Sequence, residues 1–114
     1  MAKDILTAQE LLNACILKYS LVKMDLVNCY NLPSGLGFYG YTVKVDDHNN
    51  FLIVGDFKYT TGDSDITCIG WEKYTILEDA YRKLDYLLAK LSRFERNNKR
   101  HLESKRLKKI KDDF

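Results

Sequence analysis

The chain has 114 residues, of which 46% are hydrophobic and 30% are charged. This length leaves room for one hydrophobic core, and this balance excludes wholesale disorder. The sequence contains no apolar run of the roughly 20 residues that a membrane helix needs, and its first residues lack the pattern of a signal peptide. A cytoplasmic location is therefore expected.

The net charge of +2 is unevenly distributed along the chain. Residues 1–89 carry eight basic and twelve acidic side chains, whereas residues 90–114 carry ten basic and four acidic ones. This asymmetry is typical of an acidic body followed by a basic tail. We expect a single domain over residues 1–94 and a basic helical extension or tail over residues 95–114.

The first predicted element is a helix that begins after Thr7. Thr7 and Glu10 have the spacing of a capping box, in which each side chain can bond the backbone amide of the other. Apolar residues then recur at helical spacing as far as Tyr19. The pattern predicts a helix that ends near Ser20.

Residues 20–30 are compatible with two structures. A heptad pattern that passes through Tyr19 and Leu26 would allow the first helix to continue to Tyr30. The alternation of Val22, Met24 and Leu26 with polar residues instead favours a strand. We expect a break near Ser20 and a strand that ends near Tyr30.

The middle of the chain is predicted to be a series of strands. Residues 31–35 contain Pro and Gly and predict a turn, and residues 39–45 alternate with the period of two that is typical of a strand. The polar residues 46–50 then separate this strand from the next one at 51–59, which predicts a hairpin. A third, shorter strand is expected at 66–71.

A long helix is predicted to follow these strands. Thr75 and Glu78 again have the spacing of a capping box. An apolar stripe then follows, and it thins after Phe94, where Asn97 and Asn98 are poor helix formers. The residues of this stripe are Ile76, Ala80, Leu84, Leu87, Leu88, Leu91 and Phe94.

The predicted fold is therefore α+β. We expect a small antiparallel sheet of three to four strands, flanked by an N-terminal helix and a long C-terminal helix. This order resembles that of the double-stranded-RNA-binding domain over about 85 residues. That family grips phosphates with a lysine pair at the start of its second helix, where this chain has Glu78 and Asp79, so the resemblance implies shape alone.

The motifs of catalysis and cofactor binding are absent or lack their context. Residues 35–40 match G-x-G-x-x-G, but a strand follows them instead of the helix that a dinucleotide site needs. No pair of His or Cys residues has the spacing of a zinc site. Cys68 and His48 could form a nucleophile pair only if the fold joined them, and Cys68 alternates with Ile66 as a core residue would. We expect no enzyme activity, cofactor or metal.

The leading functional hypothesis is an interaction or inhibitor protein that binds another protein through an aromatic sheet face, helped by acidic turns. A small chain rich in Lys, Asn and Tyr is compatible with an accessory or inhibitor protein of bacteria or their phages. The aromatic residues are Tyr39, Tyr41, Tyr59, Trp71 and Tyr74. The acidic residues are Asp46, Asp47, Asp63 and Asp65.

The alternative hypothesis is nucleic-acid binding by the basic C-terminal helix, because Lys and Arg can neutralise phosphates. The predicted contacts are Lys99, Arg100, Lys105, Arg106, Lys108 and Lys109. A homodimer is also expected through Leu87, Leu91 and Phe94, since a helix of this length would extend beyond a sheet of three or four strands. No membrane partner is expected.

Overall fold

The computed structural model describes residues 6–25, 28–63 and 65–112, with side chains as far as residue 108. Within these residues the chain forms two helices and six strands. Their bounds are α1 Ala8–Tyr19, β1 Val22–Lys23, β2 Cys29–Asn31, β3 Gly37–Tyr39, β4 Val43–Asp46, β5 Phe51–Lys58, β6 Asp65–Tyr74 and α2 Leu77–Asp112.

The first helix and its capping box are as predicted. The amide of Glu10 donates to Thr7 Oγ1 at 3.1 Å, and the amide of Thr7 donates to Glu10 Oε1 at 3.0 Å. Ser20 ends the helix in the left-handed conformation, with φ of 54°. The predicted break near Ser20 is confirmed.

Residues 20–30 form neither a continued helix nor one strand, so both expectations for this segment are wrong in part. β1 and β2 instead pair with each other as a short antiparallel hairpin, in which Val22 lies opposite Asn31. Val22, the first apolar residue of the alternation, is 54% exposed. Leu26, the third apolar residue of that alternation, lies outside the described residues.

All six strands join one curled mixed sheet in the order β1-β2-β4-β5-β6-β3. The predicted β4–β5 hairpin is confirmed, and the third predicted strand is β6, which extends further, to Tyr74. The predicted sheet of three to four strands has too few strands, because β1 and β2 extend it at one edge and β3 at the other. It was also predicted to be antiparallel, but β3 pairs in parallel with β6. The sheet therefore departs from the order of the double-stranded-RNA-binding domain.

The predicted strand at residues 39–45 is split by a connection at residues 40–42. Asn31 holds this connection in place. Its Oδ1 accepts from both the amide and the hydroxyl of Thr42 at 2.8 Å, and its Nδ2 donates to the Gly40 carbonyl at 3.2 Å. Gly40 has φ of 105°, which favours glycine, and a Cβ there would come within 3.1 Å of Cys68 Cβ. β3 and β4 therefore belong to different parts of the sheet.

This short connection requires the sheet to curl. Four Cα steps lead from Tyr39 to Val43 and can span at most about 14 Å. In a flat sheet the three strand spacings between β3 and β4 alone would be about 14 Å, before any offset along the strands. A β-bulge at Gly70, which has φ of 57° and is skipped between the pairs Gly55–Trp71 and Asp56–Ile69, adds bend to β5 and β6.

The core lies between the sheet and the two helices. Ala80, Leu84, Leu87 and Leu91 of α2 are at most 2% exposed and belong to the same cluster as the inward residues of α1, β4 and β5. Two residues of the predicted stripe lie outside this core, since Ile76 is 54% exposed and Leu88 is 39% exposed.

The start of α2 lies slightly later in the chain than the sequence predicted. The helix begins at Leu77, and the amide of Ala80 donates to the Ile76 carbonyl at 3.2 Å. The predicted cap at Thr75 is therefore one residue too early. No helix among the described residues is long and apolar enough to cross a lipid bilayer.

The leucines of the predicted homodimer are covered within one chain. Leu87 and Leu91 are buried, and the ring of Phe94 packs 6.0 Å from that of Phe57 and 5.6 Å from that of Tyr59. The six-stranded, curled sheet is wide enough to cover the stripe that three or four strands would have left exposed. The homodimer stays a prediction, now without the exposed apolar patch that motivated it.

Candidate functional site

The sheet face opposite the helices carries aromatic and basic side chains, and we call it the outer face. Lys44, Ile53 and Lys73 lie side by side across β4, β5 and β6, because Ile53 pairs with both lysines. In the next row Trp71 lies opposite Gly55. The ring of Tyr41 packs against Trp71, with centroids 5.2 Å apart and planes tilted by 36°. The outer face therefore combines an aromatic pair, in which Trp71 is exposed and Tyr41 is half-buried, with two cations.

The predicted aromatic set is divided between the two faces of the sheet. Tyr41 and Trp71 lie on the outer face, and Tyr39 is 75% exposed on the edge strand β3. Tyr59 and Tyr74 instead pack against the core. The hydroxyl of Tyr59 donates to Asn98 Oδ1 of α2 at 2.9 Å. Three of the five predicted residues are thus available on one side of the sheet.

The side chain of Tyr74 forms a hydrogen bond within its own strand, β6. Its side chain is partly buried, and its hydroxyl donates to Glu72 Oε2 at 3.1 Å. Burial and then this bond to a carboxylate raise the pKa of Tyr74 to about 12. The hydroxyl therefore remains protonated at neutral pH and serves as a donor inside the fold.

The predicted acidic residues lie in two turns at opposite ends of β5. Asp46 and Asp47 are at the β4–β5 turn, and Asp63 and Asp65 are at the β5–β6 turn, roughly 23 Å away along an eight-residue strand. Asp46 is engaged by its own turn, because its two carboxylate oxygens accept from the amide and Nδ2 of Asn49. These bonds from Asn49 lower the pKa of Asp46.

A charged cluster that the sequence did not indicate joins β5 to α2. Asp56 accepts from Lys90 Nζ at 2.9 Å and from Lys83 Nζ at 3.2 Å, and the two lysine side chains are only 18% and 17% exposed. Burial acts to raise the pKa of Asp56. The bonds that it accepts from Lys90, Lys83 and its neighbouring amide outweigh burial, so the pKa lies below the ordinary value. This cluster holds the helix on the sheet.

A cleft of about 560 Å³ lies between the end of β6 and the first turns of α2. Its cations include Arg82, whose side chain is 81% exposed and which lies 4.0 Å from the carboxylate of Asp79. The wall is therefore mixed in charge. The lining residues are Lys73, Tyr74, Thr75, Asp79, Arg82, Lys83 and Tyr86.

The C-terminal half of α2 leaves the body of the protein, and we call residues 99–112 the basic arm. Asn98 is still bonded to Tyr59, and His101 lies close to Gly62 in the β5–β6 turn. Beyond that point the helix continues to Asp112, and Leu102 and Leu107 are 57% and 64% exposed. The longest dimension of the molecule is 70 Å, compared with 29 Å and 22 Å for the others, so the helix determines its shape.

The predicted basic contacts lie on this arm and are exposed. The arm, residues 99–112, carries seven basic and two acidic side chains, a net charge of +5. Among the described side chains, no ion pair involves a residue beyond Lys90. The exposed predicted residues are Lys99, Arg100, Lys105, Arg106 and Lys108. Lys109 also belongs to the helix, but its side chain lies outside the described part.

The residues considered for catalysis are kept apart. Cys68 is 6% exposed in the core and faces Phe57 near the end of β5, whereas His48 is exposed in the turn before β5. Burial raises the pKa of the Cys68 thiol, although a bond with Thr42 partly opposes this. Over the described residues, His, Cys, Asp and Glu side chains do not gather in a group of three that could hold a metal ion.

Comparison with known proteins finds no matching family model, no matching curated protein and no matching solved structure. The function is therefore inferred from the geometry of this chain's own residues.

Proposed function

We propose that this protein binds nucleic acid through the basic arm. The observation that supports this most is a helical arm that extends from the body with its described Lys and Arg side chains exposed and without acidic partners. An arm with a net charge of +5 would neutralise phosphates and release their counterions, which is the main source of sequence-independent affinity for nucleic acid.

The distribution of charge around the arm favours nucleic acid over an acidic protein. Successive residues of a helix point about 100° apart, so Lys105, Arg106 and Lys108 project in three different directions. A helix that lies in a groove of nucleic acid has phosphates on more than one side, whereas an acidic protein surface would contact only one. Protein interfaces are also depleted in Lys at their centre, where aromatic residues are enriched.

Binding of a protein partner by the aromatic face and acidic turns has less support. Tyr59 and Tyr74 face the core and α2, and Asp46 is bonded within its own turn. The two acidic turns lie at opposite ends of β5, so a partner would need to span the whole strand to contact both. This hypothesis remains a proposal that rests on Tyr41 and Trp71.

Salt dependence of binding to a labelled 20-base-pair DNA duplex tests the proposal. If the arm neutralises about six phosphates, the logarithm of the binding constant should fall against the logarithm of salt with a slope of about −5. Replacement of Lys105→Gln together with Arg106→Gln should make the slope less negative by about 2. At 50 mM salt the affinity should fall by at least about tenfold for each lost contact. Fluorescence anisotropy of the DNA measures both effects.

A matched control removes one Lys and one Arg from the body. Lys23→Gln with Arg82→Gln changes the net charge by the same amount, and both side chains are exposed. We expect this variant to keep the wild-type slope. Equal losses in the two variants, or a slope near zero in the wild type, would contradict binding by the arm. A polyglutamate chain that binds more tightly than the duplex would identify an acidic protein as the better ligand and contradict the proposal.

A further inference from the structure

The aromatic pair on the outer face is held in one orientation before any ligand binds. Trp71 Nε1 donates to the Tyr41 carbonyl at 3.1 Å, and the two rings pack at 5.2 Å. Trp71 nevertheless remains 44% exposed. An exposed indole that is fixed by its neighbours loses little conformational entropy when a second ring stacks on it.

A glycine in the neighbouring strand makes this arrangement possible. A Cβ at Gly55 would lie 2.7 Å from Trp71 Nε1 and 2.8 Å from its Cδ1, closer than real atoms approach. The edge of the indole therefore occupies the space that any side chain at this position would take. Gly55 and the Tyr41 carbonyl together fix the indole on the surface of the sheet.

Two cations lie in the row of side chains next to the aromatic pair. Lys44 Nζ lies 5.6 Å from the ring centroid of Tyr41, and Lys73 Nζ lies 4.9 Å from that of Phe51. Two strand spacings, or about 10 Å, separate the backbones of these lysines. Asp46 is also on this face, opposite Phe51; its carboxylate accepts two bonds from Asn49 and remains negatively charged, so the two lysines still leave this part of the face with a net positive charge. The outer face thus presents an aromatic pair beside a row of side chains that carries two positive charges.

We infer that the outer face binds unpaired nucleobases, which stack on Trp71 and Tyr41 while Lys44 and Lys73 contact the adjoining phosphates. Aromatic rings within a basic surface are the usual means of holding single-stranded nucleic acid. A duplex keeps its bases stacked and paired, so it cannot offer them to a sheet surface. This inference rests on the proposed function and makes it more specific: the ligand contains a single-stranded segment, which the arm alone would not require.

Intrinsic fluorescence tests the inference directly, because Trp71 is the only tryptophan in the chain. Titration of the wild-type protein with an unlabelled 20-nucleotide thymidine oligonucleotide should quench its emission as bases stack on the indole. A blunt duplex of the same length should bind the arm and leave the emission unchanged. Anisotropy of labelled versions of both ligands measures binding independently of the tryptophan.

Substitutions provide the second measurement. Trp71→Ala should weaken binding of the thymidine oligonucleotide by about 5- to 150-fold, the range found for loss of one stacked base. It should change duplex affinity by less than twofold. Trp71→Phe keeps an aromatic ring and should retain most of the single-strand affinity. Tyr86→Ala is the matched control, since Tyr86 is 51% exposed and also lies beside a lysine, but is on α2.

The outcomes separate this inference from the proposed function. Oligonucleotide binding without quenching, or equal loss of single-strand and duplex affinity in Trp71→Ala, would overturn the inference and leave the arm as the binding site. If the protein bound neither the oligonucleotide nor the duplex, both this inference and the proposed function would be wrong. The wild-type titration decides the question even if Trp71→Ala does not fold.

Discussion

The two halves of α2 have the same secondary structure for different physical reasons. Residues 77–98 place a continuous apolar stripe on the sheet, and Leu84 and Leu87 are completely buried. Residues 99–112 continue the same helix, which leaves the body after His101, and Leu102 and Leu107 are exposed. Tertiary contacts support the first half, whereas the second depends on its own backbone hydrogen bonds and on the helix that precedes it.

This difference shows how one element can serve two purposes. An isolated helix shorter than about 12–15 residues is marginal in water, but a helix that is already nucleated extends at little cost. The buried half supplies that nucleus, so the arm can remain helical even though its side chains are charged and do not pack against the body. The charge of the arm is compatible with folding because it lies outside the core.

The largest expected effect contrasts one leucine from each half. Leu87→Ala should lower the free energy of unfolding by about 3 kcal/mol, because Leu87 is 0% exposed and its loss leaves a cavity. Leu107→Ala should change it by less than about 0.5 kcal/mol, since this side chain is 64% exposed. Urea denaturation followed by circular dichroism measures both. Similar losses in the two variants would mean that the arm packs against the body or another subunit.

A smaller effect is expected at the cluster that fixes the buried half on the sheet. Asp56→Asn should lower the free energy of unfolding by about 1–3 kcal/mol, because it leaves Lys83 and Lys90 partly buried without a counter-charge. The control is Asp79→Asn, which removes the 4.0 Å contact with exposed Arg82 and should cost less than about 1 kcal/mol. Equal costs would show that Asp56 has no special role.

The lowered pKa of Asp56 predicts how the stability difference between the wild type and Asp56→Asn depends on pH. A carboxylate whose pKa is lower in the folded than in the unfolded state stabilises the fold fully above its unfolded-state pKa of about 3.9. That contribution is lost as the pH falls through the folded-state value. The stability difference between wild type and Asp56→Asn should therefore be constant from pH 7 to about pH 5 and shrink below pH 4. A difference that grew on acidification would contradict the lowered pKa.

The features that sequence predicted well depend on neighbouring residues. The cap formed by Thr7 and Glu10, the hairpin between β4 and β5, and the buried stripe through Leu84 and Leu91 all have signals within a few positions of each other. The positive charge of residues 95–114 is also visible in the sequence, since charge counted along a segment needs no tertiary information. Its exposure follows from the absence of an apolar stripe.

The features that sequence missed depend on contacts between distant residues. The alternation from Tyr39 to Val45 predicts one strand, but the bonds from Asn31 to Gly40 and Thr42 turn the chain and send β3 to the far edge of the sheet. Gly40 within the alternation was a signal for such a break. The alternation also cannot tell the two faces of the sheet apart, so it could not separate Tyr59 from Trp71.

The smallest expected effect comes from removing the distal arm. Truncation after Glu103 deletes residues 104–114, which follow Asn98 and His101, the positions at which α2 still lies against Tyr59 and Gly62. The free energy of unfolding should change by less than about 0.5 kcal/mol, while the circular dichroism signal at 222 nm should fall by the contribution of about nine helical residues.

In the full chain, amide hydrogens at residues 104–112 should exchange far faster than those at residues 80–91, because the arm can open without unfolding the core. Hydrogen exchange read by mass spectrometry distinguishes the two segments. Slow exchange in the arm, or a loss of several kcal/mol on truncation, would require that these basic side chains are already engaged by another surface, such as a second copy of the chain.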